Sequence, residues 1–397
     1  ITLSVVRGVL ETTQREMTLA LEKTARSSVF NLAHDYSTAL FNHTPEMILQ
    51  GQDIPIHLGS LIPAMKAVDG FFEGDINEGD LILHNDPDYA GSHIIDTCMY
   101  YPVFYEGELV FWTVCKGHLT DIGGPVPAGY NPEAKEIFAE GLRIPPIKIW
   151  DKGEPRNDIL NMLLTNMRAR RDQEGDFNAL IGACQVGARN LTALLDKYGK
   201  ETVQDCIEVL LDMANKHMDS LIAKVPDGTY SGTAVLEDAG HGFGDFDITA
   251  TVTIKGESCH IEIESPPQIP YFINSYEGNS YSGVYLGLMM FAQLPPPYNE
   301  GLYRNVTVDM GPRGTLTAPR RRWKPSPMPC AWHSNRPRPT RCRPAGAMPM
   351  AATSPAGTPA MTRNTSRWFW PLSSRGQGPR PARTAGTCAG RNAVSVR

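Results

Sequence analysis

The chain has 397 residues, 41% of them hydrophobic and 20% charged, with 37 basic against 43 acidic side chains; this balance excludes collagen, coiled coil and a wholly disordered polymer, and fits one large domain or two to three smaller ones. The longest near-continuous apolar run, Gly283 to Ala292, is far short of the roughly 20 residues that cross a bilayer, and the first fifteen residues carry charge without a hydrophobic signal core. Eight scattered cysteines without a C-x-x-C pair argue against a disulfide framework or a thiolate zinc cage, so we expect reduced thiols, a cytoplasmic protein and no membrane partner.

Residues 3–31 read as a long amphipathic helix, with Val6, Leu10, Met17 and Leu21 on one side and Glu11, Arg15, Glu22 and Lys23 on the other, ending before His34 and Asp35. Strand-like runs follow at Asp80 to His84, Thr97 to Tyr105 and Glu108 to Cys115, the last two joined by the turn Tyr-Glu-Gly-Glu. Their polar ends are delivered to loops. From Asn157 to Lys200 the apolar spacing is helical, and a further helix runs from Thr202 to about Ile222. After the turn Pro226-Asp227-Gly228 the pattern alternates, predicting strands at 228–237, 245–255 and 258–264 in an antiparallel sheet. The fold class expected is mixed α/β (α+β). It has a site-bearing region over 1–225 and a strand-rich region of the same domain over 226–318. No fixed-period repeat, Walker A sequence or G-x-G-x-x-G after a strand is present, so nucleotide chemistry is expected to belong to a partner chain.

The overall charge of -6 averages two unlike segments. Residues 319–397 hold 14 Arg and 1 Lys with no acid, while residues 1–318 hold 22 bases against 43 acids. The terminal segment has no Ile or Tyr, a single Leu at 372, and four of the six tryptophans, at 323, 332, 368 and 370. Such a composition cannot bury a core of its own. A basic nucleic-acid arm, a disordered linker and translation in the wrong frame compete for it. A basic arm draws on Lys as well as Arg, and acids vanish here at one point, so we expect a frameshifted, disordered tail. The chain opens on Ile1 rather than Met, and we expect it to be incomplete at both ends. The acidic body argues against nucleic acid as a partner.

The densest polar cluster runs His84-Asn-Asp86-Pro-Asp-Tyr-Ala-Gly-Ser-His93-Ile-Ile-Asp96, followed one hairpin later by Gly117-His118-Leu-Thr-Asp121-Ile-Gly-Gly124. Imidazoles and carboxylates at strand ends, joined by Gly and Pro, are what an oxygen-and-nitrogen metal site needs. The same residues also suit backbone capping beside turns, or acid/base catalysis.

In sequence this cluster resembles the B-type subunit of the hydantoinase/oxoprolinase family, whose relatives include acetone and acetophenone carboxylase subunits and the caprolactamase beta subunit. The matching stretches are His84-Asn-Asp-Pro, Gly91-Ser-His-Ile-Ile-Asp96, Gly117-His118, Glu140-Gly-Leu-Arg-Ile-Pro-Pro146, Asn166-Met-Arg168, Glu174-Gly-Asp176, Asp227-Gly228-Thr-Tyr230 and Pro312-Arg-Gly314-Thr-Leu. They occur in the family's order across residues 3–317. The resemblance implies a divalent metal (zinc, manganese or iron) held by Asp35, His93, Asp96 and His118. It also implies an A-type partner that binds ATP and phosphorylates the oxygen of an unreactive amide or ketone. His84, Asp86 and Asp121 are carried as catalytic candidates, each with a turn or cap as its bland alternative. Arg143, Arg168 and Arg170 suit either an anionic substrate or a structural contact. His241 reads as a loop residue, and the Ser265-Pro-Pro-Gln268 segment, flanked by the atypical Glu262 and Glu264, is given no role.

The function implied is an ATP-dependent hydrolase of cyclic amides (hydantoin, 5-oxoproline or a lactam). The alternatives are a ketone carboxylase subunit of the same fold, and a non-catalytic or inactive chain, because relatives continue past this point with Gly-rich sequence absent here. Resequencing the gene through codons 315 to 320 is expected to reveal an inserted or deleted base; an intact frame in an independent clone would refute the wrong-frame reading.

Overall fold

Helix α1, Thr2–Thr24, buries Val6, Leu10, Thr13, Gln14, Met17 and Leu21, a stripe at the three- and four-residue spacing of one helix face. It stops earlier than its apolar pattern predicts. Ala25 turns extended at ψ 151°, and the backbone N–H groups of Arg26 and Ser27 donate to one buried carboxylate oxygen of Asp176, at 2.8 and 3.0 Å. Ser27 then caps a short helix, α2 (Ser28–Asn31), by accepting from the Phe30 N–H. The single helix expected over 3–31 is therefore two, because a distant side chain satisfies the backbone donors at the break better than continuing the helix would. His34, in the left-handed region at φ 55°, turns the chain past Asp35 into the first strand.

The computed structural model describes residues 1–51, 54–127, 129–293 and 298–319. The Arg- and Pro-rich segment, read as frameshifted and disordered, lies from residue 320 onward outside them. In chain order the described residues continue with β1 (Tyr36–Asn42), β2 (Met47–Gln50), α3 (His57–Phe72), β3 (Leu81–His84), β4 (Asp96–Tyr105), β5 (Glu108–His118), β6 (Ile147–Asp151) and β7 (Glu154–Pro155). These seven strands form one sheet in the order β2-β1-β5-β4-β3-β6-β7, antiparallel throughout. Three helices follow: α4 (Asn157–Thr165), α5 (Arg170–Tyr198) and α6 (Lys200–Ile222). The helical stretch expected over 157–200 is interrupted at residues 166–169 and again at Gly199, whose φ of +79° ends α5.

The second sheet comprises β8 (Gly228–Leu236), β9 (Phe246–Lys255), β10 (Ser258–Glu264) and, after α7 (Glu277–Ala292), β11 (Val306–Asp309). Its order is β11-β10-β9-β8, with β10 and β11 parallel and the other pairs antiparallel. The mixed α/β class expected is the class observed.

Side chains along a strand point alternately to the two faces, and in the first sheet both faces are covered. Phe111 and Cys115 of β5 and Met99 of β4 join one core with α1 and α5. Trp112 and Val114 of β5 and Cys98 and Tyr100 of β4 join a second core with Leu61, Ile62, Met65 and Val68 of α3 and with the inner side of the second sheet. Lys116 and His118 continue the parity of Trp112 and Val114, and Asp96 shares the parity of Cys98 and Tyr100. The alternation thus sends the polar strand ends to the α3 face.

Gly117, between Lys116 and His118, faces the other way, and Phe30 of α2 rests on it. A Cβ there would lie 2.2 Å from the Phe30 ring. Replacing Gly117 by Ala forces this ring, and with it the chain leading to Asp35, off the sheet; the expected loss is about 1–3 kcal/mol in a denaturant titration, and unchanged stability would contradict the packing described.

Candidate metal centre

Asp96 opens β4 and His118 closes β5, and the two residues are register partners in the antiparallel pair. Their side chains meet on the α3 face, with His118 Nδ1 3.1 Å from Asp96 Oδ1. His93 stands one turn earlier, where the Asp96 N–H donates to its carbonyl at 3.0 Å. The turn brings His93 Nδ1 to 3.0 Å from Asp96 Oδ2, yet off the hydrogen-bond line, so this buried nitrogen has no hydrogen-bond partner among the described residues. His93, Asp96 and His118 each offer a ligand atom within 4.8 Å of the others. Asp35 arrives from the neighbouring strand: its carbonyl accepts from the His118 N–H at 3.0 Å, and its carboxylate Oδ2 lies 3.9 Å from His118 Nδ1, more exposed than the other three.

A cation held at about 2.0–2.2 Å by nitrogen and oxygen donors sets neighbouring ligand atoms about 3–4 Å apart. The three central side chains are near that spacing, the imidazole and carboxylate set suits zinc, manganese or iron, and the unpartnered His93 nitrogen is an atom such an ion would satisfy. The residues present therefore fit a divalent metal.

Asp96 is the hub. Its Oδ2 accepts from Ser92 Oγ at 2.8 Å and lies 3.1 Å from Lys116 Nζ. Lys116 is only 1% exposed and donates to Ser60 Oγ at 2.8 Å and Ser92 Oγ at 2.6 Å, so two hydroxyls hold the ammonium beside the carboxylate. Burial alone would raise the Asp96 carboxyl; the adjacent Lys116 charge, His93 and the hydrogen bond with His118 overcome it and hold the group well below the usual carboxylate range. His57, at the start of α3, brings Nε2 to 3.7 Å from the same oxygen, while its Nδ1 is 2.9 Å from Ser37 Oγ. Burial first, then Lys116, pushes His57 down to about 3. The cation opposite Asp96 is thus the lysine, with His57 neutral.

The other sequence candidates are engaged elsewhere. His84 is fully buried, with Nδ1 3.3 Å from the Tyr100 hydroxyl and Nε2 3.1 Å from the Asp86 carbonyl; burial holds it near 4. Asp86 accepts from the Asp88 N–H and pairs with Arg143, which also reaches Asp88. Asp121 pairs with Arg168, whose Nη1 lies 2.7 Å from it. These two ion pairs tie the loops after β3 and β5 to residues 143 and 168. Arg170 donates to Asn161, and His241 stacks on Tyr271 with ring centroids 3.6 Å apart.

Sequence reasoning missed Lys116, His57 and Tyr130. For Lys116 a signal exists: a lysine at buried parity in the run Phe-Trp-Thr-Val-Cys-Lys must meet an anion. His57 lies on a helix that was not predicted. Tyr130 sits in a loop and stacks on His118 with ring centroids 5.6 Å apart.

Comparison with known proteins gives a consistent picture. A family model described as Hydantoinase B/oxoprolinase matches residues 1–334. The caprolactamase beta subunit of Pseudomonas jessenii is 74% identical over 316 residues, covering 80% of this chain and 54% of that protein. The B-type subunit of a putative D-/L-hydantoinase from Pseudomonas sp. (strain NS671) is 30% identical over 340 residues, covering 80% and 57%. The crystal structure of ATP-dependent caprolactamase from Pseudomonas jessenii superposes with a TM-score of 0.78 at 72% identity, covering 82% of this chain and 56% of that one. The chain spans a little over half the length of these proteins.

Replacing Lys116 by Met leaves the Asp96 charge buried without its counter-charge, at an expected cost of about 3–5 kcal/mol in chemical denaturation of the metal-free chain. Combining it with Asp96→Asn is expected to recover about half of that loss, as coupled neighbours do. A single variant within about 1 kcal/mol of the parent would mean that the pair is not coupled as described.

Proposed function

The chain belongs to the hydantoinase B/oxoprolinase family, and from that premise we propose that it is the metal-bearing B-type subunit of an ATP-dependent hydrolase that opens cyclic amides. The observation that carries this reading is the convergence of His93, Asp96 and His118, with Asp35 beside them, in a chain 74% identical to a caprolactamase beta subunit. The substrate class is a lactam, hydantoin or 5-oxoproline ring. ATP is bound by an A-type partner, which activates the ring amide at its oxygen. The net change is ring amide, ATP and two waters going to the ring-opened acid (an amino acid from a lactam or 5-oxoproline, an N-carbamoyl amino acid from a hydantoin), ADP and phosphate.

Asp35, His93, Asp96 and His118 would hold the ion. When bound, a divalent cation supplies Lewis-acid stabilisation of charge developing on the substrate carbonyl and acidifies water. The chain's own residues prepare the place for it. Lys116 and Ser92 occupy Oδ2 of Asp96 and fix the carboxylate plane, so Oδ1 faces His118. His57 stays neutral, so no second buried cation competes with the metal for Asp96. The Asp86–Arg143 and Asp121–Arg168 pairs hold the surrounding loops. The identity to the caprolactamase chain favours hydrolysis over carboxylation.

Copurification of the chain with its A-type partner, followed by elemental analysis and ADP-release assays on caprolactam, hydantoin and 5-oxoproline, tests the reading. Metal is expected in the parent complex and absent from the His118→Ala variant, with turnover of a cyclic amide that needs no bicarbonate. Undiminished metal in His118→Ala, or ADP release that depends on bicarbonate, would overturn it.

A further inference from the structure

The loop after β5 carries an aromatic ring onto the two imidazoles. Tyr130 stacks on His118 at an interplanar angle of 22° and meets His93 edge-on, with centroids 6.1 Å apart. Its hydroxyl lies 3.4 Å from His93 Nε2. Phe272 closes on the ring from the outside, T-shaped at 5.9 Å. The placement is not accidental to a surface loop. Gly129, just before it, is left-handed at φ +68°, and a Cβ there would press on the Ile95 side chain at 3.0 Å. Ile95 belongs to the turn that joins His93 to Asp96, so one contact registers the loop against the ligand-bearing turn.

A neutral imidazole carries one proton, and the partner of each nitrogen decides which one bears it. Around His93 the two nitrogens are unlike. Nε2 faces the Tyr130 hydroxyl. Nδ1 is buried and points toward Asp96 without a hydrogen bond, and that oxygen of Asp96 is already served by Lys116 and Ser92. With a cation between Nδ1 and Asp96 the nitrogen lone pair is used by the ion, and the ring proton on Nε2 has the Tyr130 hydroxyl as its acceptor.

We propose that Tyr130 is a positioning residue of the metal centre: its hydroxyl accepts the Nε2–H of His93 and its ring braces His118, so that His93 presents Nδ1 to an ion beside Asp96. The inference rests on the metal reading given above. Hydrogen-bonded partners of this kind fix ring orientation and raise ligand basicity, and their removal costs about 10–100-fold in metal affinity.

The test uses the full chain and zinc or manganese in chelator competition, with Tyr130→Phe, Tyr130→Ala and His118→Ala compared to the parent, together with nitrogen-15 histidine spectra of the zinc-loaded protein. Tyr130→Phe keeps the ring and removes only the hydroxyl. It is expected to weaken metal binding about 10-fold while leaving the denaturation midpoint of the metal-free chain unchanged, and Tyr130→Ala is expected to weaken it further. The spectra are expected to show His93 coordinated through Nδ1 with its proton on Nε2 in the parent, and in Tyr130→Phe an Nε2–H resonance that shifts upfield and exchanges faster with water. Parent-like affinity in Tyr130→Phe, with metal lost from His118→Ala, would overturn the role of Tyr130 alone. A His93 proton on Nδ1 in the zinc-loaded parent would do the same. Metal retained by His118→Ala would remove the centre and this inference with it.

Discussion

A carboxylate that is 3% exposed keeps its charge only if something nearby carries the opposite one, and the region around Asp96 is built on that requirement. Lys116 supplies the charge, Ser92 and Ser60 accept hydrogen bonds from its ammonium, and neighbouring His57 is kept neutral by the same burial and the same lysine. Such a pair contributes little net stability, because the desolvation of two ions offsets most of their attraction. Its value lies in direction. With one oxygen of Asp96 committed to Lys116 and Ser92, the other is left facing His118, and the donor set acquires a defined side on which a cation can sit.

This arrangement depends on the sheet as a whole. Because α1 and α5 cover one face and α3 covers the other, the strands are buried on both sides, and parity alone decides where each residue goes. Asp96, Lys116 and His118 fall on the α3 face, where Ser60 and His57 wait; Gly117 falls on the opposite face, where only a missing side chain admits Phe30. Residues 116–118 thus serve a charge pair, a tight contact and the candidate metal site in successive positions. A shift of register by one would exchange all three.

The sequence made part of this legible, for identifiable reasons. β4, β5 and the strands of the second sheet stand out because apolar runs there end in turn residues. His93, Asp96 and His118 were visible as a polar cluster at those ends, whereas Asp35, a lone acid after a helix, entered only through family resemblance. β1 was missed because Tyr-Ser-Thr-Ala-Leu-Phe-Asn is buried at every position and shows no clean alternation. α3 was missed because Pro63 stands within it, and α7 because it contains three glycines and runs from a polar first half to an apolar second half, with no amphipathic period. His57 was lost with α3. The break after α1 was illegible in principle from local pattern, since the group that stabilises it, Asp176, lies 149 and 150 positions away.

That last contact bears on how the molecule is assembled as well as on its finished form. A ribosome releases Asp35 and its helix long before it reaches Asp176, so the elbow between α1 and α2 has no carboxylate to close on until the second turn of α5 has been made. Loop closure over such a span is slow compared with local helix formation. The approach of Asp35 to the strand ends therefore matures late in synthesis, and any chain cut short before α5 would carry Asp35 without the clasp that sets the elbow before it.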